Sequence, residues 1–260
     1  MPMKLIESPP PEKSKAPAVD GALDIMQALV QSTYPLSLTE IADRVNMPVA
    51  SCHRIINALL RRGLVVQDLQ RRRSYCMGAM LFQMASAAYF QQPIVPLFHS
   101  IADVLKNELH QAVNLSVLAG SHTLVVAHVP CPFVENHGVY VGLSNVLHRS
   151  AAGKAMMSMH PVAIQKQYWE TYLADRESTA DDAEHPLEAW LHELAEVRRV
   201  GYALTKTETL AGVFTLAAPV LNRRGEPLAA MAVCFDKQRD IRAMATPLIQ
   251  ATWQLSARLG

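Results

Sequence analysis

Apolar residues recur every three or four positions along the N-terminal part of the chain, which predicts three short amphipathic helices. The first spans Val19 to Ser32 and ends before Tyr34-Pro35. The second begins at Ser37-x-x-Glu40, a capping box in which each side chain satisfies a free backbone N–H of the helix start. The third follows Pro48 and ends at Gly63. We expect the buried face of the first helix to consist of Val19, Ala22, Leu23, Met26, Leu29 and Val30.

The third helix has one apolar and one polar face. At about 100° per residue, its apolar residues cluster on one half of the wheel, and the other half is free to touch a partner. The expected core side is Val49, Cys52, Ile55, Ile56, Leu59 and Leu60, and the opposite side is Ala50, Ser51, Arg54, Asn57 and Arg61.

A basic hairpin follows this helix. Leu64–Val66 and Tyr75–Met77 have the composition of short strands, and the loop between them contains Arg71, Arg72 and Arg73. Two helices joined by a short turn and followed by such a hairpin are typical of a winged helix-turn-helix, whose second helix enters the DNA major groove. We assign this domain to residues 18–78, after a proline- and lysine-containing tail, residues 1–17, that we expect to be disordered.

The rest of the chain predicts a second domain of class α+β. Ala79–Phe90 is apolar and nearly free of charge, which suits a linker helix, residues 79–95, pressed against a second copy of the chain. In residues 96–260, strand-like segments separated by turns alternate with helical ones, which favours a mainly antiparallel sheet flanked by helices. The expected strands are Val113–Leu118, Thr123–Val129, Gly138–Leu143, Tyr202–Thr205, Val213–Leu221 and Leu228–Phe235.

Charge and cysteine content narrow the function. The 260 residues carry a net charge of only +1, yet Arg44 to Arg73 contains seven arginines and one acid, Asp68. The basic charge is therefore local, as expected for a segment that binds nucleic acid. The four cysteines form no CxxC pair and accompany no secretory signal, so we expect reduced thiols, a cytoplasmic protein and no zinc framework. No apolar run approaches the ~18 residues that a membrane span requires, and we expect no cofactor.

Two separate segments resemble the IclR family of bacterial transcription regulators. The first domain contains "LSLTEIADRVNMPVASCHRIINALLRRGLV", which has the helix-turn-helix pattern of that family. The second contains "VLHRSAAGKAMM" and "GYALTKTETLAGVFTLAAPVLNRRGEPLAAMAV", similar to the family segments PLHATAxGKAxLA and GYAxxxEExxxGVxCIAAPVxDxxGxVVAAL. The resemblance extends from Val19 to Gly260, and two motifs in the right order are more specific than one.

The resemblance implies a DNA-binding winged helix and a GAF-like domain that binds a small effector. It also implies a homodimer, often paired into a dimer of dimers, that binds a pseudo-palindromic DNA operator. We therefore expect a ligand-responsive regulator of a catabolic operon, without enzyme activity, whose effector is a small organic or aromatic acid. A rival hypothesis is an enzyme or metabolite carrier whose first domain mediates protein contacts.

The expected DNA contacts divide into two groups. Arg54 and Asn57, with Ala50 and Ser51, should contact base edges, whereas the wing arginines should contact phosphates. His53 lies at the edge of the outward face, where it packs or touches a phosphate, and the alternative for the whole face is ordinary solvation. The complete expected set is Ser37, Thr39, Pro48, Ala50, Ser51, His53, Arg54, Asn57, Arg61, Arg71, Arg72 and Arg73.

The resemblance places the effector site in the second domain. A helix starting near Ser150, with Arg149 beside it, suits a carboxylate; alternatively, Gly153 only lets this helix approach the sheet, and Lys154 and Arg149 face water. The Gly-x4-Gly-Lys-Ser/Thr phosphate-loop pattern is absent. The expected contacts are Val141, Leu143, Leu147, His148, Arg149, Ala152, Gly153, Glu208, Thr215, Ala232 and Cys234.

The chain departs from the family pattern at the floor of this expected pocket. Gly212-Val213-Phe214-Thr215 stands where relatives commonly have Gly-Val-Arg-Cys, and Ala232 and Cys234 stand where small hydroxyl residues often occur. These changes favour a partly apolar acid over a very small one such as glyoxylate. Cys234 is expected to be a buried small hydrophobe, and the loose group of His128, Cys131 and His137 has no common zinc spacing.

Overall fold

The computed structural model describes residues 15–90, 94–132, 138–174, 187–206, 213–236 and 240–259. The chain divides into two compact units, residues 1–92 and 93–260. The tail predicted to be disordered, residues 1–17, lies outside the described residues except for its last three positions. Pro17 is already the first residue of a helix.

The first unit combines four helices with a small antiparallel sheet in the order β1-β3-β2. The predicted hairpin gains a third strand because Leu36 and Ser37 pair with Tyr75 and Ser74. The wing is thereby joined to the start of the helix-turn-helix. The elements are α1 Pro17–Gln31, β1 Leu36–Ser37, α2 Leu38–Arg44, α3 Val49–Arg61, β2 Val65–Gln67, β3 Ser74–Met77 and α4 Met80–Phe90.

The core of the first unit lies between α1, α2 and α3. Ile25, Ile41, Cys52 and Ile56 are completely buried there. The predicted buried face of α1 is wrong in part, since Val19 and Leu23 are exposed. Gly21, which is buried, instead faces the ends of the Met47 and Ile55 side chains. Val49, the first residue of α3, is also exposed rather than in the core.

The second unit is built on a six-stranded antiparallel sheet in the order β6-β5-β4-β9-β8-β7. The predicted α+β class is confirmed. Its elements are α5 Ile94–Leu109, β4 Val113–Ala119, β5 His122–Val129, β6 Ser144–Val146, a 3-10 turn Leu147–Arg149, α6 Ala151–Met157, α7 Val162–Ala174, α8 Leu187–Val200, β7 Ala203–Lys206, β8 Val213–Leu221, β9 Pro227–Asp236 and α9 Ile241–Arg258.

Helices cover both faces of this sheet. On one face α5 and α9 pack against each other and against β4, β5, β8 and β9. On the other face α6 lies across β8 and β9, with α8 beside it. The side chains under α6 are small, which lets the helix approach the strands closely. They are Ala203, Ala217, Ala230 and Ala232, facing Ala151, Ala152 and Ala155.

The strand predicted at Gly138–Leu143 is wrong. This segment is irregular, because Gly142 has a φ of +97° and the N–H of Leu143 donates to the carbonyl of Tyr140 in a turn. The strand lies immediately afterwards, at Ser144–Val146, where it pairs with the start of β5.

Candidate DNA-binding surface and effector site

The turn between α2 and α3 fixes how α3 is presented. Asn46 takes a left-handed φ of +48°, and the N–H of Met47 donates to the carbonyl of Ala42. Asparagine tolerates this conformation better than most residues. Cys52 and Ile56 hold one side of α3 in the core, so the opposite side of the helix faces outward.

The predicted capping box of α2 is present. The N–H of Glu40 donates to the Ser37 hydroxyl at 3.3 Å, and the N–H of Ser37 donates to a Glu40 carboxylate oxygen at 2.7 Å. These bonds, with Arg71 and Arg44 nearby, hold the pKa of the Glu40 carboxyl below its ordinary value. Ser37 therefore has a structural role at the start of α2, and Thr39 beside it is exposed.

The outward face of α3 carries the side chains expected to contact bases. Ala50, His53 and Arg54 are exposed, and so are Pro48 before the helix and Arg61 at its end. Ser51 and Asn57 are partly buried. The Asn57 amide nitrogen lies 3.2 Å from a ring nitrogen of His53, so these two side chains form a joined polar group one turn apart.

Arg71 joins the wing to the helix-turn-helix. Its guanidinium donates to the Pro35 carbonyl at 3.0 Å, lies 3.6 Å from the Glu40 carboxylate and stacks 5.5 Å from the centre of the Tyr34 ring. Arg44 also contacts Tyr34, because its guanidinium donates to the Tyr34 hydroxyl at 3.2 Å. One of the three wing arginines is thus held by the protein itself.

The other arginines of this surface have no acidic partner within the described part of the chain. Arg72 and Arg73 are exposed at the tip of the wing, and Arg54 and Arg61 are exposed on α3. Asp68, the single acid of the basic stretch, accepts hydrogen bonds from the backbone N–H groups of Gln70 and Arg71. It shapes the wing rather than neutralising a guanidinium.

The predicted effector contacts on the strands lie together. Thr215 on β8 is directly opposite Cys234 on β9, and its hydroxyl oxygen is 3.4 Å from the Cys234 sulfur. Ala232, two residues earlier on β9, lies on the same face and packs against Ala152 of α6. Burial raises the pKa of the Cys234 thiol, with the Thr215 contact opposing this. A thiol of raised pKa is a poor nucleophile at neutral pH.

Helix α6 begins directly after Ser150, as the sequence predicts. Ser150 is the N-cap and accepts a hydrogen bond from the N–H of Gly153 at 2.9 Å. Gly153 is needed for a close approach to the Leu147 carbonyl, where a Cβ would not fit, rather than to the sheet. Lys154 does not face water, since it forms a 2.7 Å ion pair with Glu193 of α8.

The remaining predicted effector contacts lie in different surroundings. Leu147 is buried in a hydrophobic cluster with Trp169 and Trp190, and the His148 ring meets the Trp169 ring edge-on at 6.1 Å. Val141 is 58% exposed and Leu143 is partly buried. Arg149 is partly buried directly before α6, and Glu208 lies outside the described residues.

The contacts of Tyr34 and the pairing of Asn114 with His128 could not be predicted from the sequence. Tyr34 signals a helix end in the sequence, but its contacts with Arg44 and Arg71 depend on the third strand of the wing. Asn114 and His128 are directly opposite each other on β4 and β5. Only the strand register places these two residues opposite each other. The alternation of inward and outward side chains along each predicted strand could have placed each residue on the α6 side of the sheet.

The described residues contain neither a metal-binding cluster nor a helix that could span a membrane. Across the described ranges, no three His, Cys, Asp or Glu side chains come close enough to hold a metal ion; His137 of the loose histidine and cysteine group lies outside those ranges. None of the helices described has both the length and the apolar character needed to cross a bilayer.

Comparison with known proteins decides the family. The IclR helix-turn-helix domain matches residues 18–69, and the C-terminal domain of bacterial IclR transcriptional regulators matches residues 87–257. The chain belongs to the IclR family. It therefore has an N-terminal DNA-binding helix-turn-helix domain and a C-terminal effector domain, and its relatives are transcriptional regulators.

Curated relatives align along most of their length. The regulator BhcR of Paracoccus denitrificans is 29% identical over 244 residues, covering 92% of this chain and 86% of BhcR. The transcriptional repressor IclR of Escherichia coli is 24% identical over 228 residues, covering 86% of this chain and 81% of that protein.

Solved structures share the fold of this chain at low sequence identity. An IclR homologue of Microbacterium hydrocarbonoxydans, complexed with 4-hydroxybenzoate, has a TM-score of 0.76 at 14% identity, covering 93% of this chain and 98% of that one. Thermotoga maritima IclR has a TM-score of 0.71 at 20% identity, covering 94% and 99%. At these identities the likeness concerns the fold alone.

Proposed function

We propose that this IclR-family member is a cytoplasmic regulator of a catabolic operon, and that a small organic or aromatic acid shifts its affinity for a pseudo-palindromic operator. The observation that carries the proposal is the group of exposed arginines on α3 and the wing. Arginine contacts with phosphates give affinity and a steep dependence on salt, whereas contacts with base edges give sequence choice.

In the proposed complex α3 lies in the major groove of the DNA, and the wing lies over the sugar-phosphate backbone of the DNA. Arg54 and Asn57, with Ala50 and Ser51 near the start of α3, contact bases. Arg61, Arg72 and Arg73 contact phosphates, while Arg71 holds the wing in position and presents its remaining N–H groups. Pro48, Thr39 and His53 are also exposed, and Ser37 acts by capping α2.

The operator is proposed to bind two copies of the chain. From Met80 to Ala87 the helix α4 has no buried residue, and Phe82 and Met84 are 77% and 57% exposed. Large apolar groups in such number on one short helix are characteristic of an interface. A second copy covering this helix would give a dimer, and dimers of helix-turn-helix proteins bind half-sites about 34 Å apart, one turn of DNA. Pairing of two such dimers gives the proposed tetramer.

The effector is proposed to bind on the α6 side of the sheet, over Thr215, Ala232 and Cys234. The alanines under α6 form an apolar cluster beside this site, which favours a partly apolar acid. The 4-hydroxybenzoate bound by the Microbacterium hydrocarbonoxydans homologue makes aromatic acids the first compounds to test. Arg149 precedes the helix that packs on Ala232, and we assign it to the carboxylate.

Effector binding then changes the balance between DNA-competent and incompetent arrangements. Such coupling is typically about 1–3 kcal/mol, and it acts equally in both directions between the two ligands. An operator fragment should therefore change the affinity for the effector by the same factor as the effector changes the affinity for the operator.

Selection of bound sequences from a random duplex library tests the proposal, because the bound DNA itself identifies the operator. We expect an enriched sequence with two-fold symmetry, whose affinity in fluorescence anisotropy falls steeply as potassium chloride is raised. No enrichment, together with indifference to salt, would contradict DNA binding.

The effector assignment has its own test. Catabolic carboxylic acids are screened by thermal shift, because a ligand of the folded state raises its stability. Acids that bind are then titrated by calorimetry into wild type and Arg149→Ala. We expect weaker binding to the variant, and equal affinities would refute the role of Arg149.

A further inference from the structure

The tip of the wing carries one apolar side chain among polar and basic ones. The loop between β2 and β3 consists of residues 68–73, with the sequence DLQRRR. Leu69 is the most exposed large apolar residue in the described part of the chain, and its whole side chain projects into solvent. Turn residues are usually small or polar. A leucine at the outer end of a basic hairpin is therefore a candidate contact residue.

Hydrogen bonds fix the backbone on both sides of Leu69. The N–H of Asp68 donates to the carbonyl of Ser74 at 2.8 Å, which closes the loop. A carboxylate oxygen of Asp68 accepts from the N–H groups of Gln70 and Arg71, which shapes the turn around Leu69. A side chain that is already presented in one place loses less conformational freedom when it binds a partner.

The loop is attached to the same unit that presents α3. The Arg71 guanidinium donates to the Pro35 carbonyl and lies 3.6 Å from the Glu40 carboxylate, beside the start of α2. In the proposed complex the wing lies over the backbone strand that borders the major groove occupied by α3. The minor groove lies on the other side of that same strand, so it is the groove that the tip of the wing reaches.

The charges beside Leu69 suit a minor groove. Arg72 and Arg73 are exposed in the same loop and have no acidic partner in the described part of the chain. The minor groove has phosphates along both edges, and where it is narrow its negative potential attracts arginine. Proteins that bind this groove combine basic side chains with an apolar one, leucine among them. The tip of the wing has both parts of that combination.

We propose that Leu69 enters the minor groove beside each half-site and selects A·T pairs there. An A·T pair presents only acceptor atoms at the floor of this groove, whereas a G·C pair adds the amino group of guanine. The leucine side chain offers that amino group no acceptor and needs the space that it occupies. This inference rests on the proposed function, and it assigns part of the sequence choice to a side chain that forms no hydrogen bond.

Inosine distinguishes the two grooves in a binding experiment on the full chain. An inosine·cytosine pair resembles G·C in the major groove but lacks the amino group in the minor groove. Each A·T pair in and beside the half-sites of the selected operator is replaced in turn by G·C and by inosine·cytosine, and fluorescence anisotropy gives the affinities. At the pairs that Leu69 contacts, G·C should weaken binding of wild type about fivefold or more, and inosine·cytosine should leave it nearly unchanged.

Variants of Leu69 connect this preference to the side chain. Leu69→Gln and Leu69→Ala should bind the A·T operator about three- to tenfold more weakly and lose the penalty for G·C, whereas Leu69→Met should keep it. The slope of log affinity against log salt should stay that of wild type, because leucine displaces no counterion. Leu228→Gln removes an exposed leucine of the second unit; it is the matched control and should behave as wild type.

The outcomes separate this inference from the proposed function. If wild type selects no operator, both are wrong. If it binds an operator but G·C and inosine·cytosine act alike at every pair, the inference is wrong and the proposed function stands; this comparison uses wild type alone and does not depend on how a variant folds. The inference is equally wrong if Leu69→Gln and Leu69→Ala keep the penalty for G·C, or if their salt slope becomes shallower, since the loop would then act through phosphates.

Discussion

The Arg71 guanidinium lies 5.5 Å from the centre of the Tyr34 ring, and Arg44 lies 5.8 Å from the same centre. One exposed aromatic ring thus links the wing to the end of α2. Each guanidinium over a ring at an exposed site contributes about 0.5–1 kcal/mol. The contact matters for function because the wing and α3 must meet the DNA at the same time.

We therefore predict that Tyr34→Ala weakens operator binding about two- to thirtyfold, the loss expected for one or both of these contacts. Tyr34→Phe keeps the ring and loses only the hydroxyl that Arg44 contacts, so its affinity should fall less. Fluorescence anisotropy with the selected operator measures both, and thermal unfolding of the variants checks that the fold is kept. Wild-type affinity for Tyr34→Ala would show that the ring does not position the wing.

The helix-turn-helix could be predicted from sequence because its signals are local. The capping box at Ser37 and Glu40, the break at Asn46 and the spacing of Cys52, Ile56 and Leu59 each depend on neighbours within a few residues. Strand β1 and the exposure of Val19 could not be predicted in this way. They depend on pairing with Tyr75 and on the close approach of Gly21 to Met47, contacts between distant parts of the chain.

The same distinction holds for the effector domain. The N-cap at Ser150 is a local signal, and it is where the sequence places it. The pairing of Thr215 with Cys234 and of Asn114 with His128 depends on strand order and register. The strand predicted at Gly138–Leu143 failed because a turn at Gly142 outweighs the β propensity of its neighbours.

Arg54 and Arg72 should differ in what their loss does to DNA binding. Arg54→Ala removes a contact to a base, so discrimination between operator and random duplex should fall by about 1–3 kcal/mol. Arg72→Ala removes a contact to a phosphate, so binding should weaken equally for all sequences, and the slope of log affinity against log salt should become shallower by about one. Anisotropy at four salt concentrations with both duplexes separates the two effects. Unchanged discrimination in Arg54→Ala would rule out its contact with a base.

The capping box predicts how pH affects the first unit. The pKa of Glu40 is lowered in the folded protein, so its carboxylate stabilises the fold above its ordinary pKa, near 4.5, and this contribution disappears as pH falls through the lowered value. Glu40→Gln should thus be less stable than wild type at pH 7, and the difference should shrink toward pH 3.

The first unit can be followed separately from the second. All three tryptophans, at positions 169, 190 and 253, belong to the second unit, so far-UV circular dichroism reports both units and tryptophan fluorescence only one. Urea unfolding at pH 7 and pH 3 should shift the dichroism of Glu40→Gln and leave the fluorescence transition in place. A difference from wild type that is as large at pH 3 as at pH 7 would contradict the role of the ionised carboxylate.

Gly153 should tolerate no side chain, and this prediction tests how α6 is seated. A Cβ at this position would overlap the Leu147 carbonyl, and neither backbone can move without disturbing the cluster of Leu147 with Trp169 and Trp190. Overpacking of this kind costs about 1–3 kcal/mol or more, so Gly153→Ala should shift the fluorescence-detected urea transition to lower concentration. The control is Gly120→Asn, where φ is +60° and nothing lies within 4 Å; asparagine tolerates that conformation, and the transition should stay near that of wild type. A Gly153→Ala protein as stable as wild type would mean that the turn before α6 is looser than its contact with the helix indicates.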